Sequence, residues 1–439
     1  MPAGFLRATG ICSIISALLR RPRTFPSARV LACLALAAMV AIGAALLIFV
    51  WRPAARSDAV PLALQSDVTV PGQPARIRYF PRDARHVTVF VEDYQESLDR
   101  ERDFLAGRGH TGPLPPSNYL AISGGGDNGA FGAGLLKGWS ASGARPEFKI
   151  VTGVSTGALI APFAFLGPAY DDRLKSLYTE ISMQDVATPR WFFSGIVHDA
   201  MADTTPLRRL VEKSIDQRML EGIAAEDSKG RMLLVGTTNL DLRRAVIWNL
   251  TKIARFAGPG SLELVRKLLV ASAAIPGTFP PVMIEVEAGG RMYEEMHVDG
   301  GATAQVFVYP AAIKLHELVP RERTLYIIRN ARLDPEWSQV DRRTLSIAIR
   351  AITSLIQSQG MGDLYRIYTI AQRDHVAYRL AYIPPTFDTP HLTDFDPSYM
   401  KALYKVAYDL AEKGYQWETR PPVLVSGVDD TAAQDLQDP

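Results

Sequence analysis

The sequence predicts an α/β fold with a mostly parallel central sheet, on three observations. Short apolar runs alternate with stretches of helical period along residues 116–335, the order expected of strand–helix units whose helices cover both faces of a sheet. Two glycine-rich junctions, "LAISGGGDNGAFGAG" from Leu120 and "VTGVSTGAL" from Val151, each follow an apolar run and precede a helical one. With 47% hydrophobic and 21% charged residues in 439, the chain has a globular balance and material for one large domain or two modest ones.

The elements follow in order. Residues 92–105 read as a helix, and a Gly/Pro-rich loop, "AGRGHTGPLPPSN", leads from it to the first strong strand at 119–123. Next come a helix at 129–142, a short strand at 148–151, a helix at 156–166 and a strand in "RMLLVGTTN" from Arg231. "LELVRKLLVASAA" reads as a helix, "PVMIEVEAGGRMYEEMHVDGG" as two strands ending at Asp299, and "RTLYIIRN" as a buried strand. The period turns helical over 341–373 and 397–415, so residues 336–422 are expected to be a helical C-terminal extension. The tail, 423–439, carries four aspartates and no Lys or Arg, and is expected to be disordered.

The N-terminal end has a different character. A net charge of +2 is too small for a nucleic-acid binder, yet residues 1–29 hold Arg7, Arg20, Arg21, Arg23 and Arg29 and no acid. The rest then has 43 basic against 46 acidic residues. Residues 30–51, "VLACLALAAMVAIGAALLIFVW", are uncharged and as a helix would reach about 33 Å, enough to cross a bilayer. A signal peptide has a shorter apolar region, although "RPAA" ending at Ala55 leaves room for cleavage. A lipoprotein reading of Cys33 fails, because the apolar segment follows that cysteine. Five arginines precede the span, and only Arg52 and Arg56 follow closely. The expected topology is therefore single-pass with residues 1–29 cytoplasmic and the rest on the far side, the periplasm in a Gram-negative source. Residues 52–115 read as a linker and a pre-core helix, the part up to about Arg85 standing off the bilayer. The only cysteines, Cys12 and Cys33, leave the main body without a disulfide or a thiol metal ligand.

The glycines at 124, 126 and 129 have the spacing of a dinucleotide fingerprint, but a Rossmann unit would place an acid at the end of its second strand. This chain instead offers Gly153, Ser155 and Gly157, the G-x-S-x-G elbow that exposes a serine hydroxyl at a helix N-terminus. Acyl transfer from a serine needs donors for the oxyanion, and backbone N–H groups of Gly124, Gly125 and Gly126 can supply them. Losing one such donor typically costs about 2.7–4 kcal/mol in the barrier. For a base, an ordinary triad would draw on His316, His375 or His391, none in a loop that looks built for it. Asp299 ends a strand and is followed by Gly300 and Gly301, so its carboxylate has room and can serve as base if partly desolvated.

Gly-Gly-Gly-x-x-Gly with its last glycine at Gly129, Gly-x-Ser-x-Gly and Asp-Gly-Gly, in that order, resemble the patatin-like phospholipase family. The resemblance covers about residues 118–330 and includes "ASAAIPGTFPPV" from Ala271. It implies a patatin-like three-layer sandwich, a Ser–Asp dyad without histidine (Ser155 the nucleophile, Asp299 the base), Gly124 to Gly126 as oxyanion loop, a membrane lipid as substrate and no cofactor. One departure is Asn128, where the family usually has Arg or Lys. The readings that compete are a membrane-tethered nucleotide-binding module and, from Asn128, a catalytically silent scaffold.

His297 shares a strand face with Asp299 and reads first as a hydrogen-bonded structural residue, second as a third catalytic player. Trp191, Phe192 and Phe193 in "RWFFSGIV" read as core packing before a lipid-facing entrance. A metal set of Glu294, Glu295, His297 and Asp299 fails, since strand geometry sends Glu294 away from the others. The basic residues of 341–373 read as a solvated face.

Overall fold

The computed structural model describes residues 37–40, 56–189, 200, 202–334 and 339–421. The chain forms two compact units, Met1–Pro53 and Ala54–Pro439. In the first, residues 37–40 are helical; the rest of the expected span at 30–51 lies outside the described residues, as do 190–199 and the tail. Among the described residues no helix is long and apolar enough to cross a membrane.

The second unit is built on a sheet of nine strands. Its parallel centre comprises β2 (Ser117–Ile122), β3 (Phe148–Val154), β6 (Met232–Asn239), β10 (Arg323–Arg329) and β11 (Val376–Tyr382), in the spatial order β6-β3-β2-β10-β11. Antiparallel strands extend it beyond β6: β7 (Arg244–Asn249), then β1 (Arg78–Tyr79) at the edge. The hairpin β8 (Val282–Ala288) and β9 (Arg291–Asp299) joins through β9, and a separate two-stranded pair joins β4 (Thr188–Pro189) to β5 (Ala202–Asp203).

Strand β6 decides the geometry of the site. Its edge toward β7 is occupied from Leu234 to Asn239, so β3 and β9 share the other edge. Strand β3 runs parallel to β6 up to Val154 opposite Gly236; β9 runs antiparallel down to Asp299 opposite Thr237. The two strands therefore end nose to nose at adjacent residues of β6.

Helices cover both faces. Alternate residues of β2 and β10 feed two hydrophobic clusters: Leu120, Ile122 and Ile328 on one side, Tyr119, Ala121, Leu325 and Ile327 on the other. The first side holds α2 (Gly129–Ala141), α3 (Thr156–Leu166), α6 (Gln217–Asp227), α7 (Leu250–Phe256), α8 (Ser261–Ser272) and α10 (Pro397–Glu412). The second holds α1 (Ala84–Ala106) and the buried end of α9 (Thr344–Arg373). The helices α4 (Asp171–Thr179) and α5 (Thr205–Ser214) complete the first layer. The expected three-layer α/β arrangement is what the chain forms. Helix α3 is apolar nearly all round and buried, as a helix enclosed by sheet and neighbours must be.

Two expected boundaries need correction. The stretch up to Arg85, read as a stand-off linker, packs onto the unit: Val60, Val70, Ile77, Tyr79 and Phe80 are buried and β1 pairs with β7. Its apolar residues are too scattered to show a period, because an edge strand and a wrapping segment bury single side chains. Residues 336–422 are likewise no separate extension, since β11 is a strand of the sheet and α10 packs against α2. A Cβ at Gly134 or Gly138 would run into the backbone of Tyr404 or Tyr408, so these glycines let the two helices approach backbone to backbone.

Candidate active site

The site lies beyond the C-terminal ends of β2, β3 and β10, where open parallel sheets present ligands. Strand β3 ends at Val154, and Ser155 turns at once into α3 with φ +54° and ψ −128°. Such a backbone costs a non-glycine residue on the order of 1–3 kcal/mol and must be held by its surroundings. Gly153 and Gly157 hold it by contact, since a Cβ on either would run into the carbonyl of Gly157 or Ile122. Ser272 pins the turn: its hydroxyl accepts from Ser155 N–H at 3.0 Å and donates to the Gly236 carbonyl at 2.6 Å.

Asp299, at the end of β9, is buried with its carboxyl beside the Ser155 side chain. Its Oδ1 accepts from Gly301 N–H at 2.7 Å. Burial raises its carboxyl to about 6, against the opposing pull of Ser155 and the Gly301 N–H. A Cβ at Gly300 would strike the Gly236 carbonyl, so the Asp-Gly-Gly run fits where β9 meets β6.

The glycine loop is held from below by Asn330, the residue after β10. Its N–H donates to Ser123 Oγ (2.9 Å), its Nδ2 to the Ser123 carbonyl (2.9 Å), and its Oδ1 accepts from Gly132 N–H (3.0 Å). Gly125, at φ +158°, lies so close that a Cβ there would overlap the Asn330 carbonyl. Gly124 N–H is engaged by the Gln305 carbonyl at 3.1 Å, whereas the amides of Gly125 and Gly126 have no acceptor among the described residues. The donor set of the loop thus narrows from three glycines to two. Gly129 opens α2 behind them, and a Cβ there would strike Thr156 and Tyr178.

Residues 120–312, which hold the glycine loop, Ser155 and Asp299, match the model of the patatin-like phospholipase family. The chain carries a patatin-like phospholipase domain. Among solved structures it is similar to VipD from Legionella pneumophila at 13% identity, over 68% of this chain and 66% of that one, with a TM-score of 0.34. It is also similar to ExoU of Pseudomonas aeruginosa, a type III effector, at 12% identity, over 74% of this chain and 59% of that one, with a TM-score of 0.25. The chain thus spans about two thirds of the first and three fifths of the second. No curated protein sequence matches it.

A cavity of about 1160 Å3 opens beside the patatin-like domain's serine. Apolar side chains line it, among them Leu159, Phe163, Leu207, Val211, Leu269 and Phe279, together with polar ones that include Asn128, Gln305, Arg329, Arg332 and His391. The histidines separate clearly. His316 Nδ1 pairs with Asp374 at 3.1 Å, and neither His316 nor His375 lines the cavity. His391 lines it, with its Nε2 2.7 Å from Asp127 Oδ2. His297 is wholly buried among structural partners. Trp248 Nε1 donates to Thr237 Oγ1, which leaves the threonine proton for His297 Nδ1 and puts the ring proton on Nε2, facing Glu295. Glu295 is held down to about 2, burial opposing and the Arg78 ion pair prevailing, so Glu295, His297 and Arg78 brace β9 beneath Asp299.

Sequence reasoning missed Asn330, Gln305, Ser272 and Asp127. Asn330 had a signal: a polar residue closing an apolar run, at the strand end where sites assemble. Asn128, in the position that departs from the family pattern, accepts from Tyr399 OH on α10 at 2.6 Å.

Proposed function

We propose that the domain hydrolyses fatty-acyl esters of phospholipids or related membrane lipids through Ser155 and Asp299. The observation that carries this reading is the junction on β6, where the serine hydroxyl meets a buried carboxylate whose pKa lies near neutrality. Asp299 takes the Ser155 proton as Oγ attacks the ester carbonyl carbon, and the N–H groups of Gly125 and Gly126 receive the oxyanion. Collapse breaks the bond to the alcohol oxygen, which leaves with the proton from Asp299. Water then gives a proton to Asp299 and attacks the acyl-serine, and collapse returns that proton to Oγ and frees the fatty acid. Support for a lipid comes from the apolar side chains that line the cavity beside Ser155. Residues 30–51 serve as a single-pass anchor with the arginine-rich end in the cytoplasm, a reading supported by length and charge asymmetry.

Phospholipid hydrolysis by the wild-type chain, compared with Ser155→Ala and Asp299→Ala, tests the proposal. Both variants should be inactive, and a fluorophosphonate probe should label wild type at Ser155. Activity that survives Ser155→Ala, or no labelling at all, rejects it.

A further inference from the structure

Exposed apolar side chains stand beside the cavity on two separate elements. On α9, Ser346, Arg350, Thr353 and Gln357 line the cavity, while Ile347, Ile352 and Leu355 are 53%, 38% and 70% exposed. Ile347, Ala351 and Leu355 are four residues apart, and Ile352 adjoins them, so they form a stripe along the helix. The segment before α10 repeats the arrangement: Thr389, His391 and Asp394 line the cavity and Leu392 is 79% exposed. A single exposed leucine such as Leu392 is ordinary, but three large apolar residues on the helix that walls the cavity form an exposed stripe. Along this half of α9 the charge has one sign, whereas Asp388, Asp394 and Asp396 flank Leu392. From Arg342 to Gly362 the chain has Arg342, Arg343 and Arg350 and no acid. A helix that combines an exposed apolar stripe with arginines suits the interface of an anionic bilayer, whose head groups attract the cations.

We propose that the first half of α9 docks onto an anionic phospholipid bilayer and brings the helix that walls the cavity onto the surface that supplies the ester. This inference rests on the lipid-ester reading above. Wild type and the double variant Ile352→Asp, Leu355→Asp, both full length, are compared on two substrates. One is vesicles of equal parts phosphatidylcholine and phosphatidylglycerol; the other is a water-soluble short-chain nitrophenyl ester. The double variant is expected to lose about tenfold or more on vesicles and stay within about twofold on the soluble ester, with wild type slower on phosphatidylcholine alone. An unchanged vesicle rate overturns the docking face alone. So does an equal loss on both substrates, which makes the stripe part of the fold, or a wild-type dimer that the variant dissociates, which makes it a contact between copies. Wild type inert on both substrates overturns the lipid-ester reading and the docking face with it.

Discussion

His391 Nε2 and Asp127 Oδ2, 264 positions apart, lie 2.7 Å from one another and join the segment before the last helix to the glycine loop. Phe395 N–H reaches the same carboxylate oxygen at 2.8 Å. His391 is thus a positioning residue for the loop. A hydrogen bond to a charged group is worth about 1.5–3 kcal/mol, so His391→Ala is expected to lower kcat by about ten- to a hundredfold. His316→Ala and His375→Ala should leave kcat unchanged. A loss with His391→Ala as complete as with Ser155→Ala would make the histidine the base and reject the dyad.

Asp299 must be ionised to accept a proton. Because burial raises its carboxyl to about 6, kcat/KM should climb through that pH and level off above it. A profile on a soluble ester checks this; full activity retained at pH 4 would be incompatible with Asp299 as base.

The same shift has a cost in stability. A carboxyl that binds its proton more tightly folded than unfolded contributes its stability below its ordinary value of 3.8, and loses it as pH rises through about 6. Asp299→Asn should therefore be inactive yet more stable than wild type at pH 8, by on the order of 3 kcal/mol, with little advantage at pH 4. Thermal melts at the two pH values measure the difference.

The loop glycines should differ from one another. Gly125→Ala forces a Cβ into the Asn330 carbonyl, so activity and stability should both fall sharply. Gly126→Ala meets open space and keeps its N–H; with φ +59° it should cost about 1 kcal/mol of stability and leave most of the activity. Denaturant melts and ester kinetics on the two variants separate clash from backbone preference.

The alternation of elements and the Ser155 elbow were legible because each is local: helix 156–166 begins and ends where its sequence says. The strand 148–151 was read three residues short, since Gly153 breaks its apolar run, yet β3 continues to Val154 to present the serine. Partners that depend on the sheet's order were not legible. Nothing near Gly124 announces that Gln305 will take its N–H, and nothing near Asp127 announces His391. The helices at Thr344–Arg373 and Pro397–Glu412 fall where the period turned helical, but the reading of 336–422 as an extension missed β11 for the same reason, since β11 is seven residues in length and has its neighbour, β10, some fifty positions earlier.

The abutment of β3 and β9 makes β6 a ruler. One backbone step, Gly236 to Thr237, sets the spacing between a hydroxyl and a carboxyl carried by distant parts of the chain. Adding a residue at that step would move the two ends apart by about 3.3 Å, more than a hydrogen bond can bridge. In a lineage of such proteins, insertions can gather in the surface turns, while the eight residues of β6 must keep their count.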